Sequence, residues 1–293
     1  MNEWLIPAKT FLIGEYVALN QGPAIIITTT PYFRIKLIDN IITNISQINP
    51  QSPTGRFWTD INTFEKYLFW EDPYNAIGGL GASSAQFLGA YLAYCFLHNL
   101  TPNSTSLLEL YYTYSWHGKG LRPSGYDVLS QAQDQCVYIN SKQGIIRSYP
   151  WIFKDLDFLI IHNGAKLITH KYLESINLPK EIFKLTPIAT IALEAFEHQD
   201  GDQLIDAINA YQKQLELAQL VTQQSLKNLK ILCKYKQILA AKGCGAMGAD
   251  VLLVIVESAE LNALYNELTI AGWRIIACSK NMNALKAGYF SCI

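Results

Sequence analysis

The glycine- and serine-rich run of this chain is Gly78-Gly79-Leu80-Gly81-Ala82-Ser83-Ser84, and an apolar segment from Phe87 to Leu97 follows it. The apolar segment predicts a buried helix that starts near Ser83. Backbone N–H groups in a glycine-rich turn and at a helix start can point at one anion, and the helix dipole adds to the attraction. A serine there can either cap the helix or bind a metal ion that bridges phosphates. The run therefore suits a triphosphate, and equally a plain loop with a helix cap.

Length and composition exclude several classes of protein. The chain has 293 residues, half of them hydrophobic, and a net charge of −1 without a basic block, which argues against nucleic acid or an anionic membrane as partner. Its six cysteines show no C-x-x-C spacing, so neither zinc nor a disulfide framework is expected. No cleavable leader is recognised, and the segment 87–97 is too short to span a bilayer. We therefore expect a soluble, cytoplasmic protein.

Helical and strand patterns alternate along both halves of the chain. Strands are predicted at 4–13, 24–37, 136–148 (as a hairpin), 158–161, 251–256 and 273–278, with an edge strand at 41–45. Helices are predicted at 63–70, 83–98, 105–115, from 126, and at 183–198, 202–225 and 259–270. This pattern predicts an α+β protein with two domains, residues 1–150 and 151–293, separated near Pro150-Trp151.

Lys9 is the first candidate for chemistry outside the glycine run. It lies in the apolar N-terminal stretch Pro7-Ala8-Lys9-Thr10-Phe11. Burying an ammonium without a partner is unfavourable, so Lys9 must either extend to solvent or meet an anion. A phosphate or a carboxylate would serve, and an exposed lysine at a strand edge remains the alternative.

Asp127 is the second candidate. It follows the small-residue turn Pro123-Ser124-Gly125 at the predicted start of a helix, where the helix dipole favours an ionised carboxylate. Such a carboxylate could accept a proton from a nucleophile, or could pair with Lys9 and orient it. An ordinary aspartate in the first turn of a helix is the alternative.

A third candidate is the run of small residues from Lys242 to Asp250, just before a predicted strand. Small residues let a backbone come close to a phosphate, a substrate or merely a neighbouring loop.

The order and spacing of these segments resemble the GHMP kinase superfamily, nearest to the phosphomevalonate and mevalonate kinases. The family's P-G-K…G-E-Y/H segment is similar to Pro7-Ala8-Lys9 through Gly14-Glu15-Tyr16, and its G-L-G-S-S-A loop to Gly79–Ser84. Its S-G-x-D element is similar to Ser124-Gly125-Tyr126-Asp127. Its G-A-G-G-G-D loop is similar to Gly245-Ala246-Met247-Gly248-Ala249-Asp250, with Met247 and Ala249 in place of glycines.

The resemblance implies a fold and a set of roles. The implied N-terminal domain binds ATP and resembles ribosomal protein S5 domain 2, and the implied C-terminal domain is ferredoxin-like. Asp127 would be the catalytic carboxylate and Lys9 its partner, while Ser83 would bind Mg²⁺. The cofactor-binding residues would be Gly78, Gly79, Leu80, Gly81, Ala82, Ser83 and Ser84. The substrate-binding residues would be Glu15, Tyr16, Lys119, Ser124, Gly125, Gly245, Ala246, Met247 and Gly248.

The resemblance to these kinases points to one further residue and one further segment. Thr113 falls near the place where mevalonate kinases carry a magnesium-binding glutamate. The segment Thr169-His170-Lys171 joins Lys119 as a candidate for binding acidic groups of a substrate.

The implied function is an ATP- and Mg²⁺-dependent kinase for mevalonate or phosphomevalonate in isoprenoid biosynthesis. Three alternatives stay open: a weakly active relative that binds a nucleotide or metabolite, a kinase for a sugar or an amino-acid alcohol, and a phosphate loop that is only a capped helix. The expected partners are ATP and a small-molecule substrate, and a homodimer is possible.

Overall fold

Two antiparallel sheets organise the computed structural model, which describes residues 2–39, 48–61, 66–164 and 178–282. The first sheet contains β1 (Asn2–Ile13), β2 (Ala24–Ile38), β3 (Tyr67–Glu71), β4 (Cys136–Asn140) and β5 (Ile145–Tyr149), in the order β1-β2-β4-β5 with β3 also paired to β2. The second contains β6 (Leu156–His162), β7 (Ile238–Cys244), β8 (Val251–Glu257) and β9 (Ile275–Cys278), in the order β7-β8-β6-β9. The fold is therefore a mixture of helices and sheets, as predicted.

Eight α-helices pack on these sheets in the described ranges. They are α1 (Pro53–Ile61), α2 (Ala82–Leu97), α3 (Ser104–Ser115), α4 (Tyr126–Gln131), α5 (Leu185–His198), α6 (Gly201–Leu217), α7 (Gln223–Leu232) and α8 (Leu261–Ile270). Helix α2 is apolar around most of its circumference and lies in the core against the first sheet. Gly89 permits this close approach, because a Cβ there would lie 2.5 Å from Ile35 Cδ1. None of these helices is long and apolar enough to cross a membrane, as far as the described residues show.

The predicted helix at 63–70 is wrong where the structure describes it. Residues 67–71 form β3, which pairs with the second half of β2. Aromatic side chains favour strands, and Trp70 stacks on Phe33 of β2 with ring centroids 5.2 Å apart. The helix of this region is instead α1, where Ser52 Oγ accepts a hydrogen bond from Gly55 N at 3.0 Å and Pro53 occupies the first helical position.

Two other boundaries differ from the sequence prediction. The helix predicted at 202–225 divides into α6 and α7, because Gln219 adopts a left-handed conformation and Thr222 caps α7. Strand β7 was not predicted, and it contains the first residues of the small-residue run, Lys242, Gly243 and Cys244. The predicted edge strand at 41–45 lies outside the described residues.

The hydrophobic core is shared by the two sheets. One cluster of buried side chains includes Ile27 and Leu88 from the first half and Phe158 and Leu253 from the second. The last strand of the first sheet ends at Tyr149 and the first strand of the second begins at Leu156, but the hydrophobic core is continuous across this boundary. The division into domains at residue 150 stays a prediction.

Candidate active site

The glycine-serine run forms a tight turn that leads directly into α2. Gly79 and Gly81 have φ angles of +79° and +84°, a region that suits glycine and strains other residues. Gly81 is the N-cap of α2, and no side chain caps the helix there. The N–H groups of the first turn are therefore left for an external acceptor.

The two serines of this turn have different surroundings. Ser84 is buried, and its hydroxyl lies 2.6 Å from Gln131 Oε1 and 3.0 Å from Gly81 O. Ser83 is exposed in the first turn of α2. Only Ser83 thus presents its hydroxyl to solvent at the helix start.

Lys9 lies beside this turn and is buried. Its backbone N–H donates to Leu80 O at 3.0 Å, and its ammonium lies 3.1 Å from Asp127 Oδ1. A shift in the β1–β2 register between Ile6 and Ala8 precedes it, and Pro7 accounts for the irregularity because it has no N–H to donate. The alternative of a solvent-exposed lysine is wrong, because the Lys9 side chain is only 7% exposed.

Asp127 occupies the first turn of α4, and its side chain is 36% exposed. The turn that delivers it is fixed by Ser124 and Gly125. Ser124 Oγ accepts from Tyr126 N at 3.2 Å, and Ser124 O accepts from Tyr112 Oη at 2.8 Å. Gly125 has a φ of +76°. One carboxylate oxygen of Asp127 therefore contacts the Lys9 ammonium, while the carboxylate remains partly accessible to solvent.

Gln131 connects β1, the glycine-serine turn and α4, and the sequence does not identify it as a site residue. It is fully buried, four residues after Asp127 on the same helix face. Its Nε2 donates to Pro7 O at 2.7 Å and to Gly81 O at 3.1 Å. The spacing i, i+4 from Asp127 was the only sequence signal for it.

The loop Gly245–Gly248 lies against the glycine-serine turn through Asp250. A Cβ at Gly79 would lie 2.5 Å from Asp250 Cβ, and a Cβ at Gly245 would lie 2.1 Å from Asp250 Oδ2. Ala246 and Gly248 are buried in this loop. Met247 adopts a left-handed conformation with φ of 56° and donates its N–H to Tyr16 Oη at 3.0 Å.

Glu15 and Tyr16 face inward at this junction. Glu15 forms an ion pair with Lys242, which is fully buried. Burial disfavours the ammonium, but Cys244 and Glu15 outweigh it and raise the pKa of Lys242. Burial also raises the pKa of the Cys244 thiol, to about 11. The structure thus ties Glu15 to Lys242 and Tyr16 to Met247, and their roles as substrate ligands stay predictions.

Lys119 is exposed in the α3–α4 connection, where its carbonyl accepts from Trp116 Nε1 at 3.1 Å. In the described part of the chain, the ion pair of Asp127 is with Lys9 and not with the Lys119 ammonium. The segment Thr169-His170-Lys171 lies outside the described residues.

Thr113 is exposed on α3, and its role near a Mg²⁺ ion stays a prediction. Its hydroxyl donates to Glu109 O at 2.8 Å, and it lines a surface hollow of about 500 Å³ between α2 and α3. Two positions earlier on the same helix, burial and, to a smaller extent, the Asp127 carboxylate raise the pKa of the Tyr111 phenol. The helical rotation between positions 111 and 113 separates the two surroundings.

The donors present fit a Mg²⁺ ion that is bound jointly with phosphates. Magnesium prefers oxygen ligands and is usually held by one or two protein groups together with substrate phosphates. The Ser83 hydroxyl is an exposed oxygen ligand at the start of α2, while the Asp127 carboxylate is 36% exposed and already paired with Lys9. No cluster of three acidic, histidine or cysteine side chains suited to a metal ion occurs in the ranges described.

Solved structures with the same fold are known. A mevalonate kinase from Methanococcus jannaschii matches with a TM-score of 0.71 at 17% identity, over 94% of this chain and 97% of that one. A Streptococcus pneumoniae phosphomevalonate kinase in complex with phosphomevalonate and AMPPNP matches with a TM-score of 0.73 at 18% identity, over 95% and 99%. A Lactococcus lactis galactokinase complexed with galactose matches with a TM-score of 0.71 at 11% identity, over 98% and 94%.

The chain therefore has the fold of the GHMP kinases, to which these three enzymes belong. Identities this low establish the fold alone. No family model and no curated protein matches the sequence.

Proposed function

We propose that this protein is an ATP-dependent kinase that phosphorylates a small metabolite. The observation that carries the proposal is the Lys9–Asp127 ion pair of 3.1 Å directly beside the uncapped start of α2. The fold is that of small-molecule kinases, one of which was solved with the ATP analogue AMPPNP. A buried cation, an accessible carboxylate and a set of free N–H groups thus lie in one region.

Each group has a defined part in phosphoryl transfer, which depends on positioning and charge neutralisation more than on covalent chemistry. The N–H groups at the start of α2 would bind phosphate oxygens of ATP. Lys9 would hold Asp127 in place and add positive charge next to the transferred phosphate. Asp127 would accept the proton of the attacking hydroxyl or phosphate, for which its exposed carboxylate has room.

Ser83 is the residue we propose as a protein ligand of Mg²⁺. The ion would neutralise the charge of the triphosphate when it is bound. Ser83 offers a hydroxyl at the helix start, and Ser84 cannot replace it because its hydroxyl faces Gln131.

The acceptor we propose is mevalonate or phosphomevalonate, which places the protein in isoprenoid biosynthesis. Support comes from two structural neighbours that are named as kinases for these compounds. The galactokinase neighbour keeps a sugar as the second candidate. A weakly active, nucleotide-binding relative is a third candidate, favoured by the Met247 N–H, which is bonded to Tyr16.

The proposal also covers the two domains, the cellular location and the oligomeric state. The first sheet with its helices would be the S5-like, ATP-binding domain, and the second, four-stranded antiparallel sheet the ferredoxin-like domain. A cytoplasmic location and a homodimer are part of the proposal.

A coupled ADP-release assay tests this function. Purified protein, ATP and Mg²⁺ are combined separately with mevalonate, phosphomevalonate, galactose and homoserine, and acceptor-free ATP hydrolysis is the background. We expect one of the first two acceptors to raise ADP release at least tenfold above background. Release at background level with every acceptor would contradict the kinase function.

A further inference from the structure

Asn163 is a buried asparagine that follows β6 and has no part in the site described above. Its Nδ2 lies 2.9 Å from Ala249 O and 3.3 Å from Gly248 O, and its backbone N–H donates to Asp250 O at 3.2 Å. One residue thus holds three consecutive carbonyls of the loop that precedes β8. The side chain is itself oriented by Asn228, whose Nδ2 donates to Asn163 Oδ1 at 2.7 Å.

Ser225 and Thr222 at the start of α7 hold the same loop from a second side. Ser225 is fully buried, and its Oγ donates to Gly248 O at 2.9 Å. The N–H of Thr222 donates to Met247 O at 2.9 Å. The carbonyls of residues 247–250 therefore all have protein donors.

The N–H groups of the same four residues also have partners inside the protein. Met247 donates to Tyr16 Oη, Gly248 to Gly245 O, Ala249 to Ala246 O and Asp250 to Cys244 O, at 3.0–3.2 Å. A loop whose donors are already bonded offers none of these four groups to a phosphate. The loop of residues 247–250 can still act as a rigid support for neighbouring segments, because moving it would break hydrogen bonds to both its carbonyl and its N–H groups.

Asp250 connects the loop of residues 247–250 to the glycine-serine turn. Its side chain is wedged against Gly79 and Gly245, so closely that neither position has room for a Cβ. A displacement of the Asp250 side chain toward Gly79 would therefore press on the glycine-serine turn. Asn163 restrains Asp250 directly through its backbone and restrains the two preceding residues through its amide.

We infer that Asn163 is a positioning residue for nucleotide binding, acting through Gly248, Ala249 and Asp250 on the glycine-serine turn. This role rests on the proposed kinase function, since it matters only if that turn binds a nucleotide. An amide is needed at this position because Nδ2 faces two carbonyl oxygens, which only a donor can satisfy, in addition to Ser225 Oγ at 2.8 Å. A carboxylate of the same shape would meet those oxygens with negative charge.

The test is calorimetric binding of AMPPNP with Mg²⁺ to the full-length protein and to Asn163→Asp. We expect the Kd to rise about tenfold in the variant, which corresponds to about 1.4 kcal/mol. The second variant, Ser225→Ala, removes the hydroxyl that donates to Gly248 O and also contacts Asn163 Nδ2 and Thr222 Oγ1. It should raise the Kd about threefold, and it provides the answer if Asn163→Asp does not fold. In turnover, the KM for ATP should rise while the KM for the acceptor changes less than twofold.

Asn209→Asp is the matched control. Asn209 is exposed on α6, and its Nδ2 donates to one carbonyl, Leu239 O, at 3.1 Å, so this variant makes the same chemical change away from the loop. Its Kd should stay within twofold of the wild-type value. A purely structural Asn163 would lower the melting temperature and leave the Kd of the folded protein unchanged, and that result would overturn the inference. A wild-type protein that binds no AMPPNP would overturn the proposed function together with the inference, whereas an unchanged Kd in Asn163→Asp and Ser225→Ala would overturn the inference alone.

Discussion

Lys242 and Glu15 form a buried ion pair between β7 and the turn that follows β1. Lys242 is fully buried and also lies 3.4 Å from Cys244 Sγ and 3.5 Å from Phe11 O. Two charges removed from water gain little net energy by pairing, but a single charge left behind is strongly unfavourable. The pair should therefore matter most when only one partner is removed.

We predict that Lys242→Met lowers the free energy of unfolding by about 3–5 kcal/mol, because the Glu15 carboxylate is left buried without its cation. The double variant Glu15→Gln/Lys242→Met should recover more than half of this loss. Urea unfolding followed by circular dichroism measures both values. Equal destabilisation in the single and double variants would show that the charges do not depend on each other.

Residue chemistry explains which site members the sequence could predict. Lys9, Ser83 and Asp127 each stand out in their local segment, as a cation in an apolar stretch, a hydroxyl after glycines and a carboxylate at a helix start. Gln131 and Asn163 do not, because their partners are distant in sequence: 124 residues separate Gln131 from Pro7, and 86 separate Asn163 from Ala249. The hydrogen-bond partners of such residues cannot be read from their local segments, even where the spacing from Asp127 places Gln131 on the same helix face.

At the scale of elements, the start of α2 depends on Gly81. A Cβ at this position would lie 2.8 Å from both Gln131 Nε2 and Lys9 Cγ, in addition to the strain of its positive φ. The helix start thus tolerates only glycine for two separate reasons, conformation and space.

A left-handed backbone conformation costs a residue other than glycine about 1–2 kcal/mol. We predict that Gly81→Ala lowers the free energy of unfolding by more than this amount. We also predict that it weakens AMPPNP binding at least tenfold by displacing Lys9. Gly144→Ala is the control, since Gly144 also has a positive φ, of +66°, but no atom within 4 Å of the added Cβ. Thermal unfolding and calorimetric binding compare the two variants. If both lose the same stability and neither loses affinity, close contact with Lys9 and Gln131 is unimportant.

The elements missed in the sequence share a physical cause. Strand β3 depends on pairing with β2, and β7 on pairing with β8, so tertiary contacts rather than local propensity determine them. Helix α2 and strand β8 were predicted because their apolar runs are long and buried on nearly all sides.

At the scale of the whole molecule, a single cluster of buried side chains crosses from the first sheet to the second. Tyr211 of α6 adds to this connection, since its hydroxyl donates to Glu15 O. A core shared in this way favours cooperative unfolding of both halves.

We predict one calorimetric unfolding transition for the full-length protein, and no cooperative transition for a fragment of residues 1–150, which would expose the shared core. Differential scanning calorimetry of both proteins provides the measurement. Two resolved transitions, or a stable fragment, would show that the predicted domains at residue 150 fold independently.

The central claim is that Asp127 acts on a nucleotide held at the start of α2. The most direct measurement compares kcat and the Kd for AMPPNP in wild type and Asp127→Asn, with Asp202→Asn as control because Asp202 also lies in the first turn of a helix, α6, and is exposed. We predict that Asp127→Asn lowers kcat by at least about 100-fold, as expected for loss of a general base, while its Kd stays within threefold and the control keeps wild-type values. Wild-type turnover in Asp127→Asn would contradict the account.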